Sequence, residues 1–197
     1  MNRREALRKT AWLGGTAIAT PTLLTLLQSC QTVERAGWQP VILNDAQAQT
    51  VSALADTILP RTDTPSATEL NVDVFIDRAI HDMLPEDAQQ EMLAGLDAFE
   101  ERCQRDYGKS FADMSTDERH AMLRQEEAEA GTYNPSVWGG TLGEQKPVGF
   151  YRQFKSMALW GYFTSEHIGE NVLSYDPVPG TYQGCIPASD VGNSWSL

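Results

Sequence analysis

Between Asn44 and Pro60 the apolar residues Val51, Leu54, Ala55, Ile58 and Leu59 recur at i, i+3, i+4, i+7 and i+8. Only an α-helix, at 3.6 residues per turn, gathers that set on one face, and such a face needs another element to bury it. The ends of the helix are written beside it. Asn44 can accept from an unpaired amide of the first turn, and Gln47 stands three residues on, as in a capping box. Pro60 stops the run, because it lacks an N–H and clashes with the turn before it.

The same spacing recurs further along the chain. Residues 60–66, Pro-Arg-Thr-Asp-Thr-Pro-Ser, are turn formers. A second helix is predicted from about Asn71 to Leu84, burying Phe75, Ile76, Ala79, Ile80 and Met83. A third runs from about Pro85 to Tyr107 on a stripe of Met92, Leu96, Phe99 and Cys103. Ser115 and Glu118 have capping-box spacing and open a fourth helix to about Ala130, poor in apolar residues. The glycine- and proline-rich residues 131–147 read as an ordered, irregular loop, and a fifth helix is predicted from about Pro147 to Ile168. The remainder is an extended, turn-rich tail. No run of alternating strands is long enough for a sheet, so residues 41–197 are expected to form one all-α domain of about five helices with an irregular C-terminal tail.

The amino-terminal end has a different grammar. Arg3, Arg4, Arg8 and Lys9 precede an apolar stretch from Ala11 to Leu27 that glycine, threonine and proline dilute below the ~18 uninterrupted residues of a spanning helix. Paired arginines before a weakly apolar run mark the twin-arginine class of export signal, and Asn2-Arg3-Arg4-Glu5-Ala6-Leu7 resembles that motif. An ordinary basic leader start is the alternative. Leu27-Gln28-Ser29-Cys30 resembles a lipobox, in which the Cys30 thiol takes a diacylglycerol and becomes the new N-terminus. Several acyl chains anchor a protein stably where one does not. The other reading makes Cys30 a residue beside a cleavage site. Residues 1–29 are therefore expected to be a signal peptide and residues 30–40 a tether, placing the chain on the periplasmic face of a bacterial membrane.

Removing the four basic residues and one acidic residue of 1–29 leaves 11 Lys+Arg against 26 Asp+Glu, a net charge of −15. Such a surface repels nucleic acid and anionic headgroups.

The sequence carries no recognisable catalytic constellation. His81, His120 and His167 fall in three different helices, and none stands in a His-x-x-x-His or Glu-x-x-His arrangement on one helix face; separated surface histidines are expected, with a metal site assembled across helices as the alternative. There is no phosphate-cradling glycine motif and no Cys-x-x-Cys-His for haem. No catalytic, cofactor-binding or metal residue is assigned. Cys103 sits on an apolar stripe and Cys185 in the tail; an internal bridge, a bridge to a partner and two free thiols all remain open. The fifth helix carries Phe150, Phe154, Trp160, Tyr162 and Phe163 nearly all round it. Such a helix is buried, either in its own core or against another protein. These five, with Tyr182 and Cys185 of the tail, are the candidate partner surface.

Two stretches also carry a resemblance. Leu54-Ala55-Asp56-Thr57-Ile58-Leu59-Pro60, continuing through Thr62-Asp63-Thr64-Pro65 to Val74-Phe75-Ile76-Asp77, resembles the gluconate 2-dehydrogenase subunit 3 family. So does Gly161-Tyr162-Phe163-Thr164-Ser165-Glu166, followed by Leu173-Ser174-Tyr175-Asp176-Pro177-Val178-Pro179-Gly180. The likeness spans about residue 40 to the end. It implies a small accessory subunit of a membrane-associated dehydrogenase. The catalytic partner would be a flavoprotein of the glucose-methanol-choline oxidoreductase type that binds FAD and oxidises a sugar or sugar acid, with a cytochrome c subunit, bearing haem, as electron acceptor in some complexes. The small subunit itself holds no known cofactor. A self-sufficient periplasmic lipoprotein enzyme is the competing expectation.

Overall fold

The computed structural model describes residues 38–131, 136–137, 140–143, 148–178, 180–181 and 184–196. Arg3, Arg4, Cys30 and Tyr182 lie outside them. From Gln39 onward the chain forms one helical unit of α1 (Asp45–Ile58), α2 (Val72–Met83), α3 (Glu86–Tyr107), α4 (Thr116–Glu129), α5 (Phe150–Phe163), α6 (Glu166–Asn171) and α7 (Ala188–Val191).

Helix α1 is the central element, touching α2, α3, α4 and α5. Its stripe is the one read from sequence: Val51, Leu54 and Ala55 are buried, and Asn44 and Gln47 complete a reciprocal capping box. Around it the core is built from Ile76 and Ile80 of α2, Leu96 and Phe99 of α3, Phe111 of a 3₁₀ turn (Phe111–Asp113), Met122 of α4 and Phe154 of α5. Phe99 stacks at a tilt on Phe111, with centroids 5.2 Å apart, and Phe150 lies 5.9 Å from Phe154. Each such side chain contributes about 1.5–3 kcal/mol over leaving it in water.

Helix α4 explains its own poor apolar content. It buries only Met122, Leu123 and the carboxylate Glu126, and is otherwise held by charge. Arg102 of α3 pairs with Glu126, while Arg152 and Lys155 of α5 reach Glu127 at 3.1 and 2.8 Å. The Ser115–Glu118 capping box is present, and Lys109 closes on Glu118 at 2.8 Å.

Helix α5 is seated by two glycines. A Cβ on Gly161 would stand 2.5 Å from Cδ1 of Phe75 on α2, and one on Gly95 of α3 would stand 2.6 Å from Cβ of Phe150. Only hydrogen fits at either crossing.

Four expectations need correcting. Met83, expected on the buried stripe of α2, is the last residue of that helix and is 58% exposed. The long fifth helix is two: α5 begins at Phe150, after Gly149, and ends at Phe163. Thr164 and Ser165 interrupt it because their hydroxyls bond back to the carbonyls of Trp160 and Tyr162, both at 2.7 Å, and Ser165 turns extended before α6. Residues 131–147 contain a minimal antiparallel pair, with Ser136 opposite Thr141 and Val137 opposite Gly140. The turn-rich tail holds the single turn α7, and it returns to the domain: Ser174 and Trp195 bridge, with Ser174 N–H donating to Ser194 C=O at 2.8 Å.

Candidate functional site

The two resemblance stretches, about a hundred residues apart, meet in space. Leu59 and Pro60 end α1, and the chain turns through Thr62-Asp63-Thr64-Pro65 into a 3₁₀ turn at Thr68–Leu70. Three buried or half-buried carboxylates build that corner. Asp56 accepts from Thr68 N–H at 2.8 Å and from its hydroxyl at 2.6 Å, which caps the 3₁₀ turn. Asp73 of α2 accepts from the Ser52 hydroxyl of α1 at 2.6 Å. Asp77, fully buried one turn further along α2, accepts from the backbone N–H groups of Val41 at 2.7 Å and of Ile42 and Leu43 at 3.1 Å. Asn71, in the left-handed region at φ 56°, makes the tight entry to α2. From the other stretch, Tyr162 of α5 donates its hydroxyl proton to Pro65 C=O at 2.9 Å and lies 2.8 Å from the Thr64 hydroxyl.

These carboxylates escape a reading of the sequence for catalytic motifs. A signal is nonetheless present: Asp73 and Asp77 stand at i and i+4 inside the apolar stripe of α2, where an acid is buried only if something satisfies it. What satisfies them is this chain's own backbone and hydroxyls.

The candidate partner surface divides. Phe154 and Tyr162 are core residues, buried by α1, α2 and α3 rather than offered to another protein, so for these two the core-burial alternative holds. Phe150 is half-buried over Gly95 and Phe99. Trp160 and Phe163 remain outward, 47% and 48% exposed, with Trp160 set edge-on against Phe75 at 5.2 Å. The tail adds Tyr175, Val178, Ile186 and Trp195, all exposed. Cys103 and Cys185 are free thiols in this structure, the first buried and the second exposed. Burial, with Glu100 and Glu126 nearby, pushes the Cys103 thiol up to about 12.

The three histidines stay apart. His81 pairs with its neighbour Asp82 at 2.6 Å, and His120 and His167 are exposed on α4 and α6. Among the described residues no group of three or more His, Cys, Asp or Glu could hold a metal ion, and no helix is long and apolar enough to cross a membrane. A cleft of about 240 Å³ between α3, α4 and α5 is lined by the Arg102–Glu126 pair, Glu129 and Tyr151. The Arg102–Glu126 pair fastens α4 to α3, and Glu129 accepts from Gln125 of its own helix at 3.1 Å.

The fold and its best-built region define a class: a small all-α scaffold whose buried acids hold its own loops while aromatic side chains face outward. The chain belongs to the gluconate 2-dehydrogenase subunit 3 family, whose family model matches residues 45–180. That span takes in the α1–α2 corner, the whole of α5 and the start of the tail. No curated protein and no solved structure matches the chain.

Proposed function

We propose that this chain is the non-catalytic accessory subunit of a periplasmic, membrane-associated, FAD-dependent dehydrogenase of the glucose-methanol-choline oxidoreductase type, acting on a sugar or a sugar acid such as gluconate. The observation that carries the reading is the match over residues 45–180 to a family of dehydrogenase subunits. In this reading FAD sits in the catalytic partner, haem in a cytochrome c subunit where one takes part, and neither in this chain. The exposed Trp160 and Phe163 support a surface turned to that partner, since large aromatics anchor interfaces.

Arg3 and Arg4 open a twin-arginine signal, and this route carries proteins already folded. A flavoprotein loads FAD in the cytoplasm, so a leaderless catalytic subunit bound to this chain would cross on its signal. Cys30, once lipidated, would then hold the pair at the membrane. The test is a mild-detergent pull-down of this chain from membranes, followed by an absorption spectrum. A co-purifying flavoprotein with sugar-acid dehydrogenase activity is the expected result. Dehydrogenase turnover by this chain purified alone would overturn the accessory role and favour the self-sufficient enzyme. In the same cells, Arg3→Lys with Arg4→Lys strands both proteins in the cytoplasm; a partner still exported with full activity would refute co-export.

A further inference from the structure

The returning end of the chain is held to the domain by a small polar latch. Asn193 donates from its side-chain amide to Val172 C=O at 2.7 Å and accepts from Ser194 N–H at 3.1 Å. Ser174 engages the same segment through both of its backbone groups. Its N–H donates to Ser194 C=O at 2.8 Å and its C=O accepts from Ser196 N–H at 3.0 Å, the pattern of a parallel bridge between Ser174 and Trp195. The Ser174 hydroxyl adds a bond to Asn193 C=O at 3.2 Å. Gly192, at φ 69°, makes the turn into the segment, a conformation that favours glycine. Burial adds little. Every described residue from Gly184 to Trp195 is exposed, and Trp195 leaves 51% of its surface in water. None of the latch bonds involves an ionised group, and neutral hydrogen bonds open to water hold weakly.

We infer that residues 193–196 are a strap that closes on Val172–Ser174 and opens without unfolding the helical domain. The helices open only by exposing side chains such as Leu54, Phe99 and Phe154, whereas the strap gives up a few hydrogen bonds and almost no buried surface. The cost of a local opening follows the contacts and bonds it must break, so the strap opens first. Asn193 is its pin, because its side chain reaches back to Val172 at the end of α6. What the strap controls is the backbone of Ser174. With the strap away, the Ser174 N–H and C=O present an unpaired edge to any extended chain; closed, the protein's own end occupies that edge. Leu173-Ser174-Tyr175 opens the second resemblance stretch and lies within the matched span, while the strap lies beyond residue 180, where that match ends. The strap therefore gates part of the family stretch from outside it, and this holds independently of the accessory-subunit reading.

Hydrogen exchange of the purified full chain, resolved to single amides, tests the strap. The Ser174 and Ser196 amides should share one protection factor, above that of a free peptide and at least about tenfold below core amides such as Leu54 and Phe99. Asn193→Ala should lower the shared protection about tenfold at both positions and leave Leu54 and Phe99 as they are. Gly192→Val, which disfavours the turn, should act in the same direction. Chymotrypsin should cut after Leu173 and Tyr175 about tenfold faster in Asn193→Ala, since cleavage follows the population of the open form. Unprotected Ser174 and Ser196 amides in the wild type would mean that no latch forms. Protection equal to the core would mean that the strap opens only with the whole domain. Either result overturns the inference. So do unchanged exchange or cleavage in Asn193→Ala, and an equal loss of protection at Leu54 and Phe99 in both variants.

Discussion

The Tyr162 hydroxyl donates to the carbonyl of Pro65 at 2.9 Å, joining residues 97 apart in sequence and tying α5 to the corner between α1 and α2. Apart from the Thr64 hydroxyl at 2.8 Å, what the phenol meets is backbone, so its role is positional. Tyr162→Phe keeps the ring in the core and leaves the Pro65 carbonyl without this donor. A loss of about 1–2 kcal/mol is expected from urea unfolding. A variant as stable as wild type would show the bond to contribute nothing.

Asp77 carries more. Removing its carboxylate strips three backbone N–H groups of their acceptor in a partly buried setting. Asp77→Ala should cost about 3 kcal/mol and Asp77→Asn less, because the amide oxygen still accepts. Hydrogen exchange localises the effect. Amides 41–43 should exchange first in Asp77→Ala, and unchanged protection there would sink the account.

Acid should loosen α4 before the apolar core. Hydrogen bonding to Lys155, followed by the charges of Lys155 and Arg152, holds the Glu127 carboxyl below the ordinary glutamate range. The Lys109 ammonium, followed by the Ser115 amide, brings Glu118 down to about 2. A carboxyl lowered on folding contributes fully above its unfolded value, near 4.3, and loses that contribution as pH falls through its folded value. Stability measured by urea unfolding should therefore decline from about pH 5 towards pH 2. Glu127→Gln should flatten part of that decline. Because Glu127 is two-fifths exposed, added salt should shrink the difference.

The two described cysteines should react very differently. With its thiol pushed up to about 12 and its side chain buried, Cys103 is protonated and shielded at neutral pH. Cys185 is exposed. Iodoacetamide followed by peptide mass mapping should label Cys185 in the native protein and Cys103 only after unfolding. Equal labelling of both under native conditions would contradict the burial.

What could be read from the sequence is what local chemistry writes. The boxes Asn44–Gln47 and Ser115–Glu118 each close within four residues, and both form where the spacing places them. The apolar stripes of α1, α2 and α3 are visible for the same reason. The outward or inward sense of the aromatic residues on α5 is not. Phe154 and Trp160 look alike in a helical pattern that is apolar nearly all round, and which one faces solvent depends on how Gly161 and Gly95 let α5 settle on α2 and α3. Asp77 escapes notice because its partners are 34 to 36 residues upstream, on the three residues that lead into the α1 capping box and carry no helical period of their own. The break at Thr164 is written in residues that serve helices and breaks alike, so composition alone cannot place it.

The grip of Asp77 on residues 41–43 also decides how the domain answers to force. A pull on the chain ahead of Val41 reaches a carboxylate in the core before it reaches the first turn of α1. The strain enters through several hydrogen bonds to a single side chain on α2, so the capped end of α1 is shielded from being peeled open residue by residue. Drag on whatever is joined at that end is passed to the interior of the domain as a whole.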